Sequence, residues 1–236
     1  AVELIESKLK NLNLKGLHAH IGSQIFELKS YSDEVKILIN ELRRINQSFG
    51  LDLKELNIGG GLGVKYTDED NPPSIEDLAS AICESLNEDL SNIKIYLEPG
   101  RSVISTAGVT LYTVGSTKTT SEGKKYVAVD GGMADNPRPS MYQAKYTAEV
   151  AGINDNDEEA VTIAGRYCES GDILIENIEL SETNAGDILC VYNTGAYNYS
   201  MSSSYNRVEK PAMVLVNSAQ SDIIVNRESL EDLIAR

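Results

Sequence analysis

Cysteine is scarce in this chain. The 236 residues hold three, Cys83, Cys168 and Cys190. The count is odd, no CxxC pair occurs and no cysteine stands beside a histidine at metal spacing, so a cysteine-based metal module is excluded and a reducing cytoplasm is the simplest compartment. Histidine appears only as His18 and His20, and no carboxylate or cysteine nearby in sequence completes a ligand set, so no metal is expected. Positive charge is also in short supply. Against 36 Asp and Glu there are 21 Lys and Arg, a formal net charge of -15, and the basic residues are scattered singly or in pairs such as Arg43-Arg44 and Lys124-Lys125. A nucleic-acid partner is therefore not expected, and the acidity reads as solubility. No run approaches the ~18 apolar residues of a membrane span. The first residues are too charged for the apolar core of a signal peptide, so no membrane partner is expected. Aromatic residues make up 6% of the chain, but the 41% hydrophobic content suffices for one or two ordinary cores.

What is present is a set of three glycine-marked strand ends in order: His18-Ala19-His20-Ile21-Gly22-Ser23-Gln24, Ile58-Gly59-Gly60-Gly61-Leu62-Gly63 and Leu97-Glu98-Pro99-Gly100-Arg101. Each follows an apolar run, 14–17, 53–58 or 93–97, which is the pattern of repeated βα units. In such folds ligands gather at the carboxyl ends of the strands, where the N–H groups of glycine turns and helix starts face anions. Val35, Ile37, Leu38, Leu42 and Ile45 predict an amphipathic helix starting near Ser30 or Ser32 and stopping before Gly50. A second helix is predicted after Pro72-Pro73, capped by Ser74 with Asp77 three residues on, burying Leu78, Ile82 and Leu86.

Near residue 105 the grammar changes to short β-rich runs, 109–114, 125–130, 160–164 and 188–192, punctuated by Ser121-Glu122-Gly123 and Asn184-Ala185-Gly186-Asp187. The expected organisation is a βα part over 1–105 and a mainly antiparallel β-domain over 106–236. The acidic stretch 154–159 reads as a solvated loop. A closed (β/α)8 barrel needs eight strands and only three are visible, while the chain opens inside an apparent helix over 2–12. The expectation is a C-terminal portion of a barrel with roughly five βα units upstream.

Several residues suit chemistry. Gly59, Gly60 and Gly61 lack Cβ atoms, so successive N–H groups can form an anion nest, although a glycine run more often marks a plain turn. By period-two alternation His18 and His20 share a strand face. Glu98 read alone is a strand-end surface acid. The usual fate of a lone cysteine is burial as a structural thiol, assumed here for Cys83 and Cys190, whereas the polar loop 166–172 is an odd home for a core cysteine at Cys168.

His18-x-His20-Ile21-Gly22-Ser23-Gln24, Gly59-Gly60-Gly61, Glu98-Pro99-Gly100-Arg101, Cys168-Glu169-Ser170-Gly171-Asp172 and Gly195-Ala196-Tyr197 together resemble the fold-type III pyridoxal-phosphate decarboxylases, in order and rough spacing. The Cys-Glu-Ser-Gly-Asp run and Arg138-Pro139-Ser140-Met141-Tyr142 look like the diaminopimelate branch, since ornithine and arginine decarboxylases usually vary the residues after the cysteine. The resemblance implies a (β/α)8 TIM barrel followed by an antiparallel, Greek-key-like β-barrel domain. It also implies pyridoxal 5'-phosphate as cofactor and meso-diaminopimelate decarboxylation to lysine and CO₂. The implied cofactor set is His20 stacked on the ring, Glu98 at the ring nitrogen, Ser23, Gly59, Gly60, Gly61, Gly100, Arg101 and Tyr197. For the substrate it implies Arg101, Arg138, Tyr142, Glu169 and Tyr197, and for the proton donor Cys168, on a loop that completes the partner's site in a homodimer. His18 stays a structural or supporting residue. In the family the lysine that binds the cofactor covalently precedes the His-x-His motif. Lys8, Lys10, Lys15 and Lys65 do not match it, so this chain alone is expected to be inactive or impaired. The alternatives are a related ornithine, arginine or carboxynorspermidine-type decarboxylase, a catalytically silent regulatory homologue, and a pyridoxal-phosphate racemase of similar architecture.

Overall fold

A computed structural model describes residues 1–86, 92–152 and 157–235. The chain divides into two compact units, Ala1–Val103 and Ile104–Arg236.

In the first unit, β1 (Gly16–His18), β2 (Glu55–Asn57) and β3 (Lys94–Tyr96) form a parallel sheet in that order, with Leu17, Leu56 and Ile95 in register. Parallel neighbours require crossovers. These are α2 (Leu28–Phe49) and α3 (Ile75–Ser85). Tyr31, Val35, Leu38, Ile39, Leu42 and Ile45 recur at helical spacing and pack with Leu53, Leu56, Ile58, Leu78 and Ile82 as the core. Helix α2 begins at Leu28, a turn earlier than the serines predict. Glu27 is its N-cap without a side-chain cap, and its carbonyl accepts from the Ser30 N–H, so packing of the apolar face sets the start. At the other end Gly50 takes the left-handed conformation, φ 66°, which glycine adopts without a Cβ penalty. Helix α3 starts as its sequence predicts. Ser74 Oγ accepts from the Asp77 N–H at 3.0 Å, and the Asp77 carboxylate accepts from the Ser74 N–H at 3.0 Å. By contrast α1 (Val2–Lys8) buries no residue and ends short of the expected residue 12.

The buried face of α2 carries one ionisable anomaly. Glu34 is 5% exposed, and neither carboxylate oxygen has a hydrogen-bond partner among the described residues. Burial pushes its pKa up to about 7. One turn earlier, burial and then the Glu34 charge push the Tyr31 hydroxyl up to about 12.

The second unit is built on β4 (Thr110–Thr119), β5 (Lys125–Val129), β6 (Ala148–Val150), β7 (Glu158–Ala164), β8 (Ile173–Ser181) and β9 (Ile188–Val191), in the order β6-β9-β4-β5-β7-β8. All these pairings are antiparallel except β5 with β7. The parallel pair is possible because the chain between them runs through α5 (Arg138–Tyr142) and β6. Strand β7 takes in Glu158 and Glu159, which corrects the loop reading there, and Glu159 pairs with Lys125 across the sheet. Residues 154–156 of that stretch lie outside the described residues. A hairpin follows, β10 (Met213–Asn217) with β11 (Gln220–Val225), then α6 (Leu230–Ile234). Among the described residues no helix is long and apolar enough to cross a membrane.

Candidate active site

In the first unit the predicted residues sit just past the strand ends. Strand β1 stops at His18, so strand alternation does not carry on to His20. Instead His20 is oriented by the Gly60 N–H, which donates to its Nδ1 at 3.1 Å. Asn57, the last residue of β2, ties the ends together. Its Oδ1 accepts from the Gly59 N–H at 2.9 Å, and its Nδ2 donates to Glu98 Oε1 at 2.6 Å. The Glu98 N–H donates to the Gly59 carbonyl at 2.6 Å. Glu98 is exposed yet held in place.

The glycine run is dictated by this crowding. A Cβ on Gly60 would stand 2.2 Å from the Glu98 carbonyl oxygen, and one on Gly61, where φ is 98°, would stand 2.2 Å from that of Gly22. Two N–H groups that the sequence reading aimed at an anion, those of Gly59 and Gly60, are engaged by Asn57 and His20. Ser23 is exposed. Beside it the Gln24 amide brackets Val64, donating to its carbonyl at 2.6 Å and accepting from its N–H at 3.2 Å, which fixes the 22–24 turn to the glycine loop.

Gly100 is exposed and leads into α4 (Arg101–Ile104). Arg101 is held inside the first unit. It is 7% exposed, its Nη1 donates to the Tyr66 hydroxyl at 2.6 Å and its guanidinium lies 5.6 Å from that ring's centroid. An aromatic face and a phenol oxygen have drawn the fork inward.

The second unit carries two groups. Arg138, 9% exposed, donates from Nε to the Tyr146 hydroxyl at 3.0 Å, and its guanidinium lies 5.8 Å from the Tyr142 ring and 5.9 Å from the Tyr197 ring. Tyr142 and Tyr197 are exposed. Tyr197 (φ 62°) and Gln143 (φ 54°) both hold left-handed backbone. The other group is the loop after β7. Cys168 and Glu169 are exposed at its tip. Glu169 accepts from the Tyr205 hydroxyl, a bond that raises the Tyr205 pKa, and the Tyr167 and Tyr205 rings are 5.7 Å apart. Under the tip, the buried Asp172 accepts from the Met133 and Tyr167 N–H groups, both at 2.7 Å. Of the other thiols Cys190 is buried, which raises its pKa, but Cys83 is exposed on α3. The structural reading of Cys83 is thereby corrected. It falls on the solvent side of an amphipathic helix whose buried residues are Leu78, Ile82 and Ser85.

Asn57, Tyr66, Tyr146 and Tyr205 were not singled out by sequence, and Asp172 stood there only as the last residue of the Cys168 motif. Asn57 had a signal, standing at the end of an apolar run two residues before a glycine turn. The tyrosines had none, because their partners are 35, 8 and 36 positions away.

For a phosphate-bearing cofactor the first unit offers an exposed hydroxyl, a backbone cradle that side chains would fill, and a fixed carboxylate able to meet a protonated ring nitrogen. Among the described residues no group of three or more His, Cys, Asp or Glu is arranged to hold a metal.

Comparison with known proteins agrees with this geometry. Residues 2–105 match the model "Pyridoxal-dependent decarboxylase, pyridoxal binding domain", and residues 101–195 match "Pyridoxal-dependent decarboxylase, C-terminal sheet domain". The chain is 48% identical to diaminopimelate decarboxylase of Synechocystis sp. over 95% of its own length and 49% of the relative's. It is 43% identical to the Bacillus subtilis enzyme of the same name over 95% and 53%. A crystal structure of diaminopimelate decarboxylase from M. jannaschii in co-complex with L-lysine superposes with a TM-score of 0.91 at 34% identity, covering 99% of this chain and 54% of that one. The chain thus spans about half the length of the curated relatives it matches. Three consecutive parallel βα units followed by a mainly antiparallel sheet are the C-terminal part of a TIM barrel and its β-domain, and with both domain models matched in order the chain belongs to the pyridoxal-dependent decarboxylase family.

Proposed function

We propose that this chain serves the pyridoxal 5'-phosphate-dependent decarboxylation of meso-diaminopimelate to lysine and CO₂, within an enzyme longer than the present sequence. The observation that carries the substrate assignment is the pair of opposite grips in the second unit. Arg138, flanked by Tyr142 and Tyr197, suits a carboxylate, and Glu169 suits an ammonium. A substrate with a whole amino-acid group at its far end uses both, whereas ornithine offers only an amine. The names of the relatives and the lysine held by the structural neighbour support the same reading.

The bound cofactor supplies an electron sink for the pair left behind when CO₂ departs. Glu98 holds the proton at the ring nitrogen, and Asn57 keeps that carboxylate in place. His20, whose Nδ1 is fixed by Gly60, would stack on the ring. Ser23, Tyr197 and the backbone of Gly59, Gly60, Gly61 and Gly100 would hold the phosphate. Arg138 and Tyr142 bind the distal carboxylate and Glu169 the distal ammonium. Cys168 delivers the proton that replaces CO₂. Arg101, held in place by Tyr66, would join the cofactor and substrate contacts. The covalent lysine lies outside this sequence; Lys65, for one, pairs with Asp68 at 2.7 Å. We assign the whole enzyme to the cytoplasm as a homodimer in which the Cys168 loop completes the partner's site.

The test compares kcat/KM of the full-length enzyme for diaminopimelate, lysine, ornithine and arginine, in the parent and in Arg138→Ala. Diaminopimelate is expected to be preferred, and the variant to lose about 2–5 kcal/mol of transition-state stabilisation with cofactor binding intact. Preference for ornithine or arginine refutes the assignment.

A further inference from the structure

We infer that Asp172 is a positioning residue, whose carboxylate clamps the loop that leads into Arg138 to the loop that carries Cys168 and Glu169. One oxygen accepts from the Met133 N–H at 2.7 Å, in the segment just before α5; the other accepts from the Tyr167 N–H at 2.7 Å, next to Cys168. The second bond closes a small ring over residues 167–172, so the tip is tied at both of its ends by one side chain. Backbone bonds complete the tie. Gly165 N–H donates to the Asp172 carbonyl at 2.9 Å, Asp172 N–H to the Glu169 carbonyl at 3.1 Å, and Arg166 N–H to the Gly131 carbonyl at 3.0 Å.

The surroundings are shaped for this carboxylate. Asp172 is 3% exposed, and both flanking glycines leave the room it occupies. A Cβ on Gly132 would come within 2.4 Å of Asp172 Oδ1, and one on Gly165 within 2.3 Å. Burying an acid is costly unless its oxygens are satisfied, and here each takes a charge-assisted bond from backbone. Asparagine has nearly the same shape but a single acceptor oxygen. Its amide nitrogen would meet one of the two N–H groups, so one loop is released whichever way the amide turns. The role, as opposed to the geometry, rests on the decarboxylase reading. Because the Cys168 loop completes the partner's site in that reading, its anchoring to the body of its own chain sets where Cys168 and Glu169 enter that site, and displacements near 1 Å cost up to about a hundredfold in rate.

The experiment uses the full-length, cofactor-loaded protein with Asp172→Asn, and Gly165→Ala as a second variant that pushes the same carboxylate aside while keeping its charge. Hydrogen exchange at Met133 and Tyr167 is expected to speed up at least tenfold, with the amides of β4 and β9 unchanged. Alkylation of Cys168 by iodoacetamide, read on its peptide by mass spectrometry, is expected to quicken several-fold. The bound-cofactor absorbance stays as in the parent while kcat for diaminopimelate falls roughly 10- to 100-fold. Unchanged exchange and alkylation at these positions overturn the clamp, as does acceleration spread evenly over the sheet. If the parent does not decarboxylate diaminopimelate but both local readouts move, the functional reading has failed and the clamp on the loops has not. If the parent is active and both local readouts move while kcat holds, the positioning role is refuted.

Discussion

Replacing Glu34 by glutamine should stabilise the protein in alkaline buffer and leave it nearly unchanged in acid. The carboxyl is buried on α2 with no partner among the described residues and holds its proton up to about pH 7, against an ordinary 4.5. Each tenfold rise in proton affinity corresponds to about 1.4 kcal/mol, so the ionised form is disfavoured in the folded state by about 3 kcal/mol. The native state binds more protons than the unfolded one between these two values, so the parent loses stability as pH rises from about 4.5 to 7 and stays flat above. Glutamine keeps the shape and the buried polar atoms but has no charge to lose. Urea unfolding followed by circular dichroism at pH 4.5, 6, 7 and 8.5 should show the two proteins converging at the acid end. Above pH 8 they should be separated by up to about 3 kcal/mol in favour of the variant. A difference that does not change with pH would mean that the carboxyl is hydrated or paired in solution.

Gly61→Ala should cost more than about 2 kcal/mol in the same unfolding assay, because the residue is left-handed and its new Cβ meets the Gly22 carbonyl; a loss below about 0.5 kcal/mol would contradict this. Ser74→Ala removes the α3 capping box and should cost about 1 kcal/mol, read as earlier unfolding of the first unit. In the full-length enzyme, mixing Cys168→Ala with a variant lacking the covalent lysine should restore part of the activity, since one site of each heterodimer then carries both groups. Activity no higher than either parent variant refutes the shared site.

The three strand ends, the helix between the first two and the Ser74 cap were legible because each is written locally, in an apolar run, a 3.6-residue period or a capping pair. Strand β8 was not. It is nine residues long, but Glu176 and the left-handed Asn177 interrupt its alternation. The parallel β5–β7 pair was invisible because register across a crossover leaves no local trace. For the site, residue types and order pointed to the strand ends, yet the direction of Arg101 depended on Tyr66, a partner that only the folded chain brings near.

The left-handed backbone at Tyr197 has a practical side. A bulky residue in that conformation gives up roughly 1–2 kcal/mol relative to glycine. A laboratory screen that rewards heat resistance alone would therefore favour glycine or asparagine there, and the survivors would lack the ring beside Arg138. Thermostable clones from such a screen need sequencing at this codon before their loss of turnover is blamed on rigidity.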